Sequence, residues 1–147
     1  MTALPDSRDA IARLVPHQGR MCLWQRVVAA DERSIRVQAF DHVDAAHPLR
    51  HRGRLGAVHL CEYGAQAMAV HGGLRVHAMG GAPRPGLLVA LRGVVLHRDR
   101  IDDLDGSLEG EAQVLMESDT GAQYAFVIRN AGDVIAEGRA AVIHPSM

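Results

Sequence analysis

The spacing of hydrophobic and polar positions changes period along this chain, and those changes mark out its elements. From Ala57 to about His71, apolar residues recur at Val58, Cys61, Ala65 and Met68, the three-and-four spacing of a helix with one buried face. Gly72-Gly73 supplies its expected stop. A shorter helix is predicted over Arg8 to Val15, with Asp6 or Ser7 as cap and Pro16 as end. Elsewhere the period is two. The segment Pro16 to Val28 leads into a strand, Asp31-Glu32 turns it, and Ile35, Val37 and Ala39 alternate with Ser34, Arg36 and Gln38, so the first two strands form a hairpin. Gly86 to Leu96 is almost continuously apolar, which predicts a central strand buried on both faces. Leu108, Gly110, Ala112, Val114 and Met116 alternate with polar residues, and Asp119-Thr120-Gly121 turns the chain into a strand around Tyr124 to Arg129. Asn130-Ala131-Gly132-Asp133 then turns it into a last strand over Val134 to Ile143.

A hairpin, one long helix and four strands in antiparallel succession make an α+β pattern. One helix cannot cover both faces of such a sheet, so the economical packing is a strongly twisted antiparallel sheet wrapped around one long central helix. Gly64, Ala65, Ala67 and Ala69 are small enough to let helix and sheet approach closely. That arrangement is the hotdog fold, in which two protomers usually join sheets edge to edge, and such pairing removes an exposed strand edge. Gly72 to Pro85, rich in glycine and proline, reads as an ordered crossing loop rather than a linker, so residues 1–147 are expected to form a single domain.

Composition narrows the function classes. The 147 residues are 48% apolar and 22% charged, an ordinary globular balance with enough chain for a sizeable core. A formal net charge of −1 argues against a general nucleic-acid binder. No apolar run reaches membrane-spanning length and the amino terminus lacks a signal-peptide pattern, so the expected compartment is the cytoplasm. Cys22 and Cys61 sit in apolar patterns rather than at metal spacing and read as reduced thiols.

Candidate chemistry gathers on the long helix and the loop before it. Glu62 interrupts an apolar surface with Gln66 one turn later, and a carboxylate is rarely placed there without a task or a partner. The segment Leu14 to Val28 resembles the amino-terminal signature of the 3-hydroxyacyl-acyl-carrier-protein dehydratases, with Pro16-His17 and Arg26-Val27 at the family spacing and Gln25 in place of the usual aspartate. His47 to Gln66 is similar to their catalytic segment, a histidine loop leading into a helix with Glu-x-x-x-Gln, matched by Glu62-Tyr63-Gly64-Ala65-Gln66. More closely, His47-Pro48-Leu49, Gly53-Arg54-Leu55 and the run from Glu62 to Gly72 resemble the hotdog dehydratase branch of bacterial aryl polyene lipid clusters. The loop departs from the usual Gly-His-Phe-Pro, reading Ala46-His47-Pro48-Leu49, and the separation from His47 to Glu62 is one residue longer than in the common dehydratases. Gly56-Ala57 stands where the family tends to carry Pro-Gly.

Eliminating water from a 3-hydroxyacyl thioester needs a base for the proton alpha to the carbonyl and an acid for the departing hydroxyl. A neutral imidazole, His47, suits the first task. A desolvated carboxyl, Glu62, suits the second, with Gln66 orienting it or a water. N–H groups at the helix start, Gly56, Ala57 and Val58, are expected to face the thioester oxygen as charge develops there. His59, one turn before Glu62, lines the site or faces solvent. Arg50, Arg52, Arg54 and Arg84 either receive a phosphopantetheine phosphate or an acidic carrier, or are solvated loop charges. His17 reads as structural, and His47-x-x-x-His51 lacks a third ligand, so no metal is expected.

The resemblance implies histidine and glutamate from different protomers, an acyl carrier protein delivering the substrate, and a homodimer or a heterodimer with a hotdog paralogue. The expected reaction is dehydration to the trans-2-enoyl thioester, with no cofactor. Two alternatives stand beside it. One is a hotdog acyl thioesterase in which the carboxylate activates water. The other is a non-catalytic subunit that binds acyl carrier or completes a partner dehydratase's site.

Overall fold

The computed structural model describes residues 4–15, 19–80 and 87–144. Two helices, α1 (Arg8–Ala12) and α2 (Leu60–Ala78), accompany six strands: β1 (Arg26–Ala30), β2 (Ser34–Ala39), β3 (Leu87–Leu96), β4 (Leu108–Ser118), β5 (Gly121–Asn130) and β6 (Asp133–Ile143). Every pairing is antiparallel and the strand order is β1-β2-β4-β5-β6-β3. Helix α2 packs on β2, β4, β5 and β6, the hotdog arrangement expected from the pattern. The expected stop at Pro16 and the end of the crossing loop lie outside the described residues.

Alternation builds the sheet. On β5, Tyr124, Phe126 and Ile128 point into the core between outward-facing neighbours, and on β4 Leu108, Ala112 and Val114 do the same. A register shift after Val114 breaks that rhythm and leaves Met116 exposed rather than continuing the buried row. Ser7 caps α1, its Oγ accepting from the Ala10 N–H at 3.2 Å. Between β1 and β2, the Asp31 carboxylate accepts from the N–H groups of Arg33 and Ser34, both at 2.8 Å, an Asx turn that sets the hairpin.

Three expectations need correction. Helix α2 does not stop at Gly72-Gly73 but runs on to Ala78. A helical glycine costs only about 1 kcal/mol, and here one is required, because a Cβ on Gly73 would sit 2.2 Å from the Leu14 carbonyl oxygen. The buried side of α2 is also not the Val58-Cys61-Ala65-Met68 row. Leu60, Tyr63, Gly64, Ala67, Val70 and His71 face the core, together with Met68, while Val58 is 62% exposed and Cys61 and Ala65 are half-buried. The helix is apolar almost all round, so its sequence offers two interleaved rows, and close fit selects one: a Cβ on Gly64 would meet the Phe126 ring at 2.6 Å.

The third correction concerns β3. It is an edge strand paired only with β6, not a central strand, and the four later strands are therefore not in simple succession. Leu88, Val89, Leu91, Val95 and Leu96 are all exposed in the single chain. A continuous apolar run reads as doubly covered whichever chain supplies the cover, and in one chain nothing described covers it.

Candidate active site

Helix α2 begins from a pinned support. The Leu55 N–H donates to Asp102 Oδ1 at 2.9 Å, Ile101 N–H to the Leu55 carbonyl at 2.9 Å, and Ala57 N–H to the Asp99 carbonyl at 2.9 Å. Asp102 is buried and gripped by Arg100, whose guanidinium holds its carboxyl well below the usual carboxylate range. Sequence reading did not single out Asp102, and no local spacing marks it. Of the helix-start groups Gly56, Ala57 and Val58, the Ala57 N–H expected to face substrate is thus spent inside the chain, while Val58 stands outward in the turn before α2. Gly56 caps a single 3-10 turn, Ala57–His59, that leads into α2, and half-buried His59 closes it.

Glu62 lies in the first turn of α2, on the side of the helix away from the sheet, and it is half-buried rather than sealed in an apolar wall. Gln66 is 2% exposed and its amide is fully committed. Its Oε1 accepts from the Leu23 N–H at 2.8 Å, and its Nε2 donates to the Met21 carbonyl at 2.7 Å and to Glu62 Oε1 at 3.0 Å. Two backbone bonds from the segment before β1 therefore fix the amide, and the amide fixes one carboxyl oxygen. That arrangement can present a carboxyl in one orientation without local side-chain freedom.

His47 sits in a loop built on its own turns. The Asp44 carboxylate accepts from the Ala46 N–H at 2.8 Å, and Arg50 donates to the carbonyls of Val43 (2.8 Å) and Gly53 (3.0 Å). Arg50 is thereby committed to the loop backbone rather than held out for a phosphate. Arg52 and Arg54 are exposed, and Arg84 and His17 lie outside the described residues. The imidazole of His47 is only 4% exposed, with Nε2 3.0 Å from the Tyr63 hydroxyl and Nδ1 accepting from the Leu49 N–H at 3.1 Å. Burial pushes its pKa down, with smaller opposing and reinforcing effects from Asp41, Arg8, His59 and Arg50. The structure thus brings Glu62 and Gln66 into contact, and turns His47 toward Tyr63 within the same chain.

Tyr63 is the residue that sequence reading missed. Its ring is fully buried, its carbonyl accepts from the Trp24 indole at 2.7 Å, and burial holds its hydroxyl protonated. Its place inside Glu62-Tyr63-Gly64-Ala65-Gln66 was visible, but nothing in that spacing says that it reaches a loop histidine 16 residues earlier. A second buried histidine, His71, spans α2 to the sheet in the same way: Nε2 donates to the Asp31 carbonyl at 2.8 Å and Nδ1 accepts from the Tyr124 hydroxyl at 2.6 Å.

Among known families, residues 9–147 match the one described as ApeP-like, ApeP dehydratase. None of the curated proteins matches the chain. Among solved structures it is similar to the dehydratase heterocomplex ApeI:P from Xenorhabdus doucetiae, with a TM-score of 0.84 and 22% identity over 92% of this chain and 91% of that one. It is also similar to AziG from S. sahachiroi (TM-score 0.60, 14% identity, 82% and 90% covered). A point variant of the phenylacetic acid degradation protein PaaI from Thermus thermophilus is similar too (TM-score 0.58, 17% identity, 81% and 91% covered). At such identities these three likenesses carry the hotdog architecture alone.

Proposed function

This chain belongs to the ApeP-like dehydratase family, and on that premise we propose that it takes part in removing water from 3-hydroxyacyl chains carried as thioesters on an acyl carrier protein, giving the trans-2-enoyl thioester. The observation that carries this reading is the Glu62–Gln66 unit, a carboxyl on the side of α2 away from the sheet whose Oε1 is held by a buried, fully bonded amide. In its acid form such a carboxyl can protonate a departing hydroxyl. The base is an imidazole, from His47 or from a histidine of a second chain.

A second hotdog chain fits this reading for two reasons. Glu62 is half-buried in the single chain, which leaves room for a second chain to complete its surroundings. The exposed apolar edge β3 offers a surface for edge-to-edge pairing, and the similar ApeI:P structure is a heterocomplex. Partnership with a hotdog paralogue and delivery of substrate by acyl carrier protein are parts of the same proposal, with aryl polyene lipid synthesis as its setting.

The test is a product assay on 3-hydroxyacyl carrier thioesters with the purified chain, alone and with its paralogue. Enoyl product without free thiol supports dehydration, whereas thiol release assigns thioester hydrolysis instead. Glu62→Gln, which keeps the shape and the contact with Gln66, is expected to lower enoyl formation by at least about 100-fold, the lower end of a general acid's contribution. Retained turnover in that variant removes Glu62 from the mechanism.

A further inference from the structure

The segment just before β1 holds the first turns of α2 by hydrogen bonds that the apolar core does not supply. The Met21 carbonyl and the Leu23 N–H take the two ends of the Gln66 amide, at 2.7 and 2.8 Å. Trp24, the only tryptophan in the chain, bonds the helix backbone itself: its indole N–H donates to the Tyr63 carbonyl at 2.7 Å. A helix carbonyl already accepts from the N–H four residues on, so the indole takes the second lone pair of an oxygen that was not orphaned. Tyr63 follows Glu62 directly and Gln66 lies one turn on, so these bonds converge on the groups that flank the carboxyl.

Room for the indole is built in. Trp24 is fully buried and meets Tyr63 edge-on, with ring centroids 5.2 Å apart and planes at 80°. Facing it on β4 is Gly110, where a Cβ would sit 2.5 Å from the Trp24 ring. A glycine inside a strand weakens that strand, and here the ring fills the space it leaves. Gln25 fastens the same segment to β2, its N–H donating to the Gln38 carbonyl at 3.0 Å and its Oε1 accepting from the Phe40 N–H at 2.6 Å. Residues 21–25 are therefore a strut from the sheet to α2, with Trp24 the member that bonds the helix backbone.

Direction is what the strut adds. Apolar packing tolerates sliding because it is non-directional, whereas an N–H···O bond weakens steeply once its angle falls below about 120°. Side-chain tips ride about 5–6 Å from a helix axis, so a roll of about 10° carries one through about 1 Å. A misplacement of that size costs a positioned reacting group about 100-fold in rate. We propose that Trp24 is a positioning residue for Glu62: its indole N–H, with the Leu23 N–H beside it, sets the roll of the first turns of α2 and so the direction in which the carboxyl points. The proposal rests on the dehydratase reading above.

Deleting the indole N–H alone tests this. Trp24→Phe removes the donor and keeps an apolar ring. Biosynthetic incorporation of benzothienylalanine at the single tryptophan keeps the bicyclic shape with sulfur in place of N–H, and it carries the test if the phenylalanine variant does not fold. With one hydrogen bond gone, the isostere should melt within about 4 °C of the wild type. In nitrogen-15 spectra of the chain alone, the Gln66 side-chain amide, assigned by its loss in Gln66→Glu, is expected to move and to exchange with water at least about tenfold faster. In the chain with its paralogue, turning over 3-hydroxyacyl carrier thioesters, kcat should fall at least about tenfold while KM stays within about twofold. An unmoved Gln66 amide overturns the proposal, and so does an undiminished kcat in a folded replacement. Absence of enoyl product from the wild-type pair refutes the dehydratase reading instead, and the amide signal then still decides whether Trp24 holds this turn.

Discussion

Three buried side chains on or beside one helix are tied by hydrogen bonds that local sequence does not announce: His47 to Tyr63, Gln66 to Met21 and Leu23, and His71 to Asp31 and Tyr124. For the two histidines, burial is the largest effect and pushes both pKa values below the usual one. The sign follows from linkage. With the folded pKa below the unfolded value of about 6.5, the unfolded chain takes up protons first, so stability is highest above about pH 6.5 and falls as pH drops through the window down to the folded pKa values. Urea midpoints at pH 8, 6.5 and 5 should decline in that order, and His71→Gln should flatten the slope. A midpoint independent of pH over that range would mean that neither ring is held neutral by the fold.

At the scale of elements, the turns were more legible than the ends of the helix. Asp31 and the Asn130-to-Asp133 corner carried their own chemistry, and both close hairpins where expected. In the second, the central residues Ala131 and Gly132 have φ of 52° and 83°, the pair of positive values that a two-residue hairpin turn demands. Alanine meets that demand at a cost of about 1–2 kcal/mol. Ala131→Gly should therefore stabilise the protein by about 1 kcal/mol after the entropy gained by the unfolded chain is subtracted, raising the melting temperature by about 2–4 °C; a thermal melt that moves down would show that the turn relaxes some other way. The end of α2 was misread for the opposite reason. A glycine pair is a local signal for a stop, yet Gly73 is there because Leu14, distant in the chain, presses against the helix.

For the whole molecule, the consequential feature is an apolar strand left at the rim. The run from Gly86 to Leu96 looked central because it is almost continuously apolar, and sequence cannot distinguish cover by the same chain from cover by another. If β3 is the seam between two hotdog chains, Val89→Lys should weaken association measured by sedimentation while shifting the stability of the isolated chain by less than about 0.5 kcal/mol, as isolated surface changes do. Association of undiminished strength would move the seam elsewhere. The same reasoning explains why Glu62 was expected in a sealed apolar setting and is found half-buried: its neighbours Val58, Cys61 and Ala65 are apolar, but the sheet of this chain turns to the other side of the helix.

Local periodicity by itself determined the α+β class, the one long helix, the strands β2, β4, β5 and β6 and the hotdog arrangement, because each of those follows from a repeat of two or of three to four within a few residues. The pairing of Glu62 with Gln66 was equally legible, since one helical turn separates them. Tertiary structure alone decided which side of α2 faces the sheet, that β3 lies at the edge, that the Ala57 N–H is spent on Asp99, and that His47 answers to Tyr63. Each of those depends on contacts between residues far apart along the chain, where packing and hydrogen-bond geometry, not spacing, choose among several patterns the sequence permits equally.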